Sequence, residues 1–144
     1  MQRVLDSSAW IGNAIEARDA ITLIEHGFNA VIDLALDELA AQLPRELIHL
    51  RFPIIDGAGN DENLLAATIK TTAMMMQLPG LNIAVCCSAG LSRSPAIVAA
   101  AISLVKNQPV AITLTEMASQ VRCDISPALW LDVSAVCKTM GNKE

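Results

Sequence analysis

Cys87 stands six residues before Arg93 and seven before Ser94 in the stretch Cys87-Ser88-Ala89-Gly90-Leu91-Ser92-Arg93-Ser94. A thiol and a guanidinium at that spacing can close a loop round an oxyanion. Five intervening residues let successive backbone N–H groups point inward, and a helix starting at Arg93 adds its positive end. Gly90 permits a turn that other residues resist and a close approach to bound oxygens, while Arg93 offers a planar fork for two of them. The same electropositive setting favours the thiolate of Cys87. That thiolate can attack phosphorus and form a phosphocysteine, and the Ser94 hydroxyl can donate to the sulfur as the intermediate breaks down. The backbone of Ser88, Ala89, Gly90, Leu91, Ser92 and Arg93 is therefore the expected phosphate cradle.

A lone cysteine is more often a small buried hydrophobe, and an arginine a solvated helix residue. Two facts weigh against that here. Gly, Arg and Ser at three, six and seven positions after a given Cys coincide by chance roughly once in a few thousand trials at average frequencies. The chemistry also needs a strand before the loop and a helix after it, and both are predicted. Residues 82–86 are a short apolar run typical of a buried strand, and residues 93–106 read as a helix.

The rest of the chain supplies the elements that hold such a loop. Residues 3–6, 9–12, 30–34 and 47–55 are predicted strands, the third apolar enough to lie inside a parallel sheet. Near-helical spacing of Ile15, Ala20, Ile21, Leu23 and Ile24 predicts one helix over residues 14–26 with Gly27 at its C-terminal end. A mixed segment at 37–43 ends at Pro44. Residues 56–60 form a loop, Asn60 or Asp61 can cap a helix over 62–78, and Pro79-Gly80 stops it. Two more helices are expected, one from Pro109 to about residue 121 and one opened by Ser126-Pro127. The pattern predicts an α/β three-layer sandwich, with a mainly parallel central sheet of four to five strands flanked by helices, as one domain over residues 1–144.

The loop resembles the Cys-x5-Arg-Ser/Thr signature of the dual-specificity branch of the protein tyrosine phosphatases. The similarity extends to Trp10-Ile11-Gly12-Asn13, to residues 27–33, and to Phe52-Pro53-Ile54-Ile55-Asp56-Gly57, which is similar to that family's general-acid loop. Together these cover most of residues 3–105. In the family the acid is an Asp about thirty residues before the nucleophile, which implies that role for Asp56, just past a predicted strand end. Asp61 competes for it, but its place ahead of a helix makes it the better N-cap. The implied mechanism has Asp56 protonate the leaving oxygen as Cys87 attacks, then activate water as a carboxylate, with no metal and no cofactor.

The family normally carries His directly before its nucleophile, and here that residue is Cys86. The loop amides, the helix dipole and Arg93 remain, so slower turnover is the expected consequence. A catalytically weak or inactive phosphate-binding module is the alternative. A disulfide between Cys86 and Cys87 would strain the intervening peptide, and Cys86 reads more economically as an apolar strand residue. A sulfur-transfer or arsenate-reducing enzyme could use a similar loop, but Gly90, Ser94 and Asp56 suit phosphatase chemistry better.

Composition narrows the partners. The chain has 144 residues, 53% of them hydrophobic, and a formal net charge of −5. No Lys/Arg cluster interrupts that charge, which argues against nucleic acid and anionic membrane surfaces. Four cysteines at positions 86, 87, 123 and 137 match neither a disulfide framework nor a zinc site, and neither a leader peptide nor a membrane span is evident. A cytoplasmic monomer is expected. Leu91 and Ser92 put no cation inside the loop, so a phosphorylated protein or small phosphate monoester is favoured over a polyphosphorylated inositide, and free phosphate or sulfate can occupy the loop. With no Tyr and only two Phe residues, a shallow pocket open to phosphotyrosine and phosphoserine or phosphothreonine is expected. Arg122 is read as a solvated surface residue, and Met74-Met75-Met76 as packing.

Overall fold

In the computed structural model, which describes residues 1–141, the chain runs β1 (Gln2–Arg3), β2 (Ala9–Gly12), α1 (Ala14–Arg18), α2 (Ala20–Glu25), β3 (Ala30–Ala35), β4 (Ile48–Ile54), α3 (Glu62–Met76), β5 (Ile83–Cys86), α4 (Arg93–Lys106), α5 (Val110–Ala118) and α6 (Pro127–Thr139). The strands form one sheet in the order β1-β2-β5-β3-β4, with β1 antiparallel to β2 and every other pairing parallel. This is the α/β sandwich expected from the sequence.

Every residue of β3 and β5 is buried, as suits parallel strands covered on both faces. Alternation along them sorts the side chains into two layers. Val31, Ala84 and Cys86 pack with Ala17, Leu23 and Phe28 beneath α1 and α2. Ile32, Val85 and Cys87 belong to the larger core, with Leu65, Ile69, Ile97, Leu129 and Val133 from the helices of the other face. Ile32, Leu65, Ile69 and Ile97 are wholly buried, each worth about 1.5–3 kcal/mol relative to exposure.

The helix after the candidate loop is the most enclosed one. Residues 93–103 of α4 are all buried, and Ala96, Ala99, Ala100 and Ala101 let neighbouring helices approach closely. A loop attached to such a helix inherits its rigidity.

Local chemistry moved several boundaries. The expected strand at 3–6 shrinks to Gln2–Arg3, because Val4 already turns: its N–H bonds Ala9 O and its carbonyl accepts from Ser7 N–H. The expected helix at 14–26 is two helices, since Asp19 ends the first and caps the second through Thr22 N–H. Gly27, at φ +81°, closes that pair. The helix expected to run to residue 78 ends at Met76, and the one expected from Pro109 to about 121 covers Val110–Ala118, with Pro109 as its N-cap.

Parallel pairing sends the C-terminal ends of β2, β3, β4 and β5 to one edge of the sheet, with Gly12 and Asp33 both in register with Cys86. The segments that leave that edge begin at Asn13, Leu36, Ile55 and Cys87. Open parallel sheets bind ligands at this edge. The β3–β4 connection is unusual in crossing between parallel neighbours without a helix, through turns and irregular chain.

Candidate active site

Cys87 lies at the end of β5, only 2% exposed, and its N–H donates to Gly12 O at 3.3 Å. The loop beyond it is held from outside by its carbonyls. Ser88 O accepts from Ala14 N–H and Leu91 O from Asp124 N–H at 2.7 Å, while Ser92 O accepts from Ala96 N–H as the first turn of α4. Among the described residues, none accepts a hydrogen bond from the backbone N–H of Ser88, Ala89, Gly90, Leu91 or Ser92. Five consecutive backbone donors are thus left without an acceptor from the described residues.

Gly90 makes that curl possible for two reasons. Its φ is +75°, and a Cβ there would sit 2.9 Å from Gly12 O. The close approach that requires glycine is thus to the end of β2. The loop then enters α4, whose N-cap Ser92 makes no capping bond and whose first turn carries no acid. The carboxylates that approach the positive end of this helix come from other segments, Asp37 on Arg93 and Asp56 on Ser92.

Arg93 is 3% exposed, and its guanidinium is anchored on three sides. Nη1 donates to Asp37 Oδ1 at 2.7 Å and to Ile54 O at 3.0 Å, and Nη2 to Ser88 Oγ at 2.8 Å. Its Nε is buried without a partner, and so is Ser94 Oγ. Two orphaned polar atoms on the first two residues of α4 need an explanation, because a buried unpaired group costs about 1–3 kcal/mol. A phosphate oxygen is a chemically suitable partner for the Nε–H.

Asp56 follows β4 in an exposed loop stapled by Asn60, whose side chain accepts from Ile55 N–H and donates to Ile55 O and Gly57 O. Asp56 Oδ1 accepts from Ser92 Oγ at 2.6 Å, and that hydroxyl accepts in turn from Ser126 N–H. The edge of the sheet thus brings Asp56 together with the loop. Asp61 instead caps α3 by accepting from the N–H groups of Asn63 and Leu64.

Asp37 was not singled out by its sequence. It stands two residues past β3, at the same sheet edge, and an acid directly after a buried strand was the available signal. The Arg93 hydrogen bond, with help from the Ser88 hydroxyl, holds its carboxyl below the usual carboxylate range. Asp37 therefore carries no proton to give near neutral pH.

Cys86 and Cys87 pack on opposite faces of the sheet, and these two and Cys123 are free thiols. Burial pushes the Cys86 thiol far up, so it stays neutral. Cys137 is buried and Cys123 half-buried, while His26 Nδ1 meets Thr22 O and His49 Nε2 is buried without a partner. Arg122 is exposed and lines a cavity of about 210 Å³ on the Ala89–Gly90–Leu91 side of the loop. A separate cavity of about 340 Å³, walled by Trp10, Leu23 and Phe28, lies on the α2 side, away from the loop. Among the described residues no helix is long and apolar enough to cross a membrane.

No protein-family model and no curated protein matches the sequence. The fold does match solved structures. Human DUSP28 is 21% identical with a TM-score of 0.77, over 93% of this chain and 94% of that one. The human tyrosine phosphatase-like serine/threonine/tyrosine-interacting protein is 18% identical with a TM-score of 0.82, over 97% of each chain. PTPMT1, solved in complex with PI(5)P, is 18% identical with a TM-score of 0.71, over 92% of each. The chain has the fold of the dual-specificity protein tyrosine phosphatases.

Proposed function

We propose that this chain, built on the dual-specificity phosphatase fold, is a cysteine-dependent phosphatase that hydrolyses phosphate monoesters, phosphotyrosine and phosphoserine or phosphothreonine among them. The observation that carries the reading is the set of unengaged donors beside Cys87: five consecutive loop amides and the buried Nε–H of Arg93. Such a set matches the equatorial oxygens of a phosphoryl group under attack from the thiolate.

In the first step Cys87 Sγ attacks phosphorus, the ester P–O bond breaks, and Asp56 gives the leaving oxygen its proton. Asp37 is unsuited to that task because Arg93 keeps it ionised. In the second step water attacks the phosphocysteine, Asp56 takes the water's proton, and the P–S bond breaks to return the thiolate. The orphaned Ser94 hydroxyl is available to stabilise that sulfur. The chain then acts as one phosphatase-like domain, and a reducing compartment such as the cytoplasm suits the free thiols of Cys86, Cys87 and Cys123.

One observation favours a second reading, a phosphate-binding module without turnover. Cys86, buried and neutral, supplies no imidazole beside the nucleophile. One measurement separates the two: hydrolysis of phenyl phosphate, an aryl ester whose leaving oxygen needs a proton, across pH 5 to 8 in reducing buffer by wild type, Cys87→Ser and Asp56→Asn. Turnover that disappears in Cys87→Ser and falls by about 10²-fold or more in Asp56→Asn supports the enzyme. Wild-type turnover no higher than that of Cys87→Ser, with phosphopeptide binding retained, supports the module.

A further inference from the structure

The guanidinium of Arg93 meets a carboxylate that neither chemical step uses. Both hydrogens of Nη1 are taken, one by Asp37 Oδ1 and one by Ile54 O. What remains is the opposite edge, formed by Nε–H and Nη2. That edge is the fork through which arginine binds two oxygens of one phosphate. Nη2 still donates to Ser88 Oγ, and the Ser88 hydroxyl donates to Asp37 Oδ1 at 3.3 Å, which closes a three-residue network. The pair is asymmetric: the Arg93 side chain is 4% exposed and that of Asp37 64%. The charged anchor stands at the rim of the site while the fork lies inside it.

We propose that Asp37 is the positioning residue for the phosphate-binding arginine, capturing Nη1 and Ser88 so that the Nε/Nη2 edge of Arg93 faces the loop. This rests on the reading that Arg93 grips the phosphoryl group. Ile54 O and Ser88 Oγ are neutral acceptors, one on each Nη, and the Ser88 hydroxyl is itself directed by its bond to Asp37. The Asp37 oxygen supplies the charged point that defines the plane. Its carboxyl, held below the usual range, keeps this role at every pH from 5 to 8.

The test reads oxyanion binding, which needs no turnover. Tungstate affinity is measured calorimetrically at pH 7 for wild type, Asp37→Ala, Asp37→Asn, Arg93→Lys and the Asp37→Ala/Arg93→Lys double variant. Asp37→Ala should weaken binding about tenfold, and Asp37→Asn should recover to within about threefold of wild type, because its amide oxygen still accepts from Nη1. In the Arg93→Lys background Asp37→Ala should change affinity less than about twofold. Equal affinity in wild type and Asp37→Ala, or the same loss in both backgrounds, overturns the proposal. A wild type that binds tungstate without hydrolysing aryl phosphate defeats the enzymatic reading and leaves this one standing. A wild type that binds no tungstate removes both.

Discussion

Ser92 Oγ lies 2.6 Å from Asp56 Oδ1 and accepts a hydrogen bond from Ser126 N–H at 2.9 Å, so one hydroxyl joins the loop, Asp56 and the start of α6. Since the amide fixes Ser92 as an acceptor, its own proton is directed at Asp56. Removing this hydroxyl should unfix the acid without touching the nucleophile. Ser92→Ala is expected to lower kcat about tenfold on an alkyl phosphate, whose leaving oxygen needs a proton. On p-nitrophenyl phosphate, whose leaving group needs little help, the loss should stay under about threefold. Equal losses on both substrates would mean that Ser92 shapes the loop and not the acid.

Asp56 and Asp61 separate cleanly by variant. Asp61 accepts from two N–H groups of the first turn of α3. Asp61→Ala should therefore cost about 1 kcal/mol in urea unfolding and leave phosphatase activity within about twofold. Asp56→Asn should show the reverse pattern. Activity lost in Asp61→Ala at unchanged stability would exchange the two roles.

Gly90→Ala places a Cβ 2.9 Å from Gly12 O on a backbone at φ +75°. The neighbour is the end of a strand paired with β5 and cannot easily retreat. A loss of about 2 kcal/mol in stability and a drop of tenfold or more in oxyanion affinity are expected together, since relief of the clash must move the loop. Calorimetric unfolding and tungstate titration on one preparation check both.

Cys86 is buried among Ala17, Leu23, Phe28, Val31 and Ala84, on the far face of the sheet from Cys87. Cys86→Ala is expected to keep aryl phosphate hydrolysis within about threefold of wild type, at about 1 kcal/mol of lost packing. Cys86→His adds bulk to a filled site and should destabilise by about 1–3 kcal/mol. Abolished turnover in Cys86→Ala at near-native stability would give the thiol a chemical part after all.

Much of the site is local in sequence and was legible there. The buried strand Ile83–Cys86, the glycine turn and a helix beginning at Arg93 are set by composition over a dozen residues, because a strand, a positive φ and a helix start each depend on near neighbours. Asp56 was named as the candidate acid through the family resemblance and its spacing from Cys87, and its place after a strand agreed with that. Less local marks were missed: Asp19 competes within its own segment by capping, and periodicity over residues 14–26 does not register that.

The sequence by itself determined the α/β class and marked out the candidate nucleophile and the candidate anion cradle, since each is written in short-range chemistry. Only the tertiary structure decided what surrounds them. Arg93 is anchored by Asp37 and Ile54, 56 and 39 residues away, and Ser92 reaches Asp56 and Ser126 at separations of 36 and 34. The order β1-β2-β5-β3-β4 puts β5 between β2 and β3, so Gly12 and the chain after β3 flank the loop. Strand order is a choice among packings of similar local propensity, made by burial of whole faces and closed by hydrogen bonds at the edge where the parallel strands end.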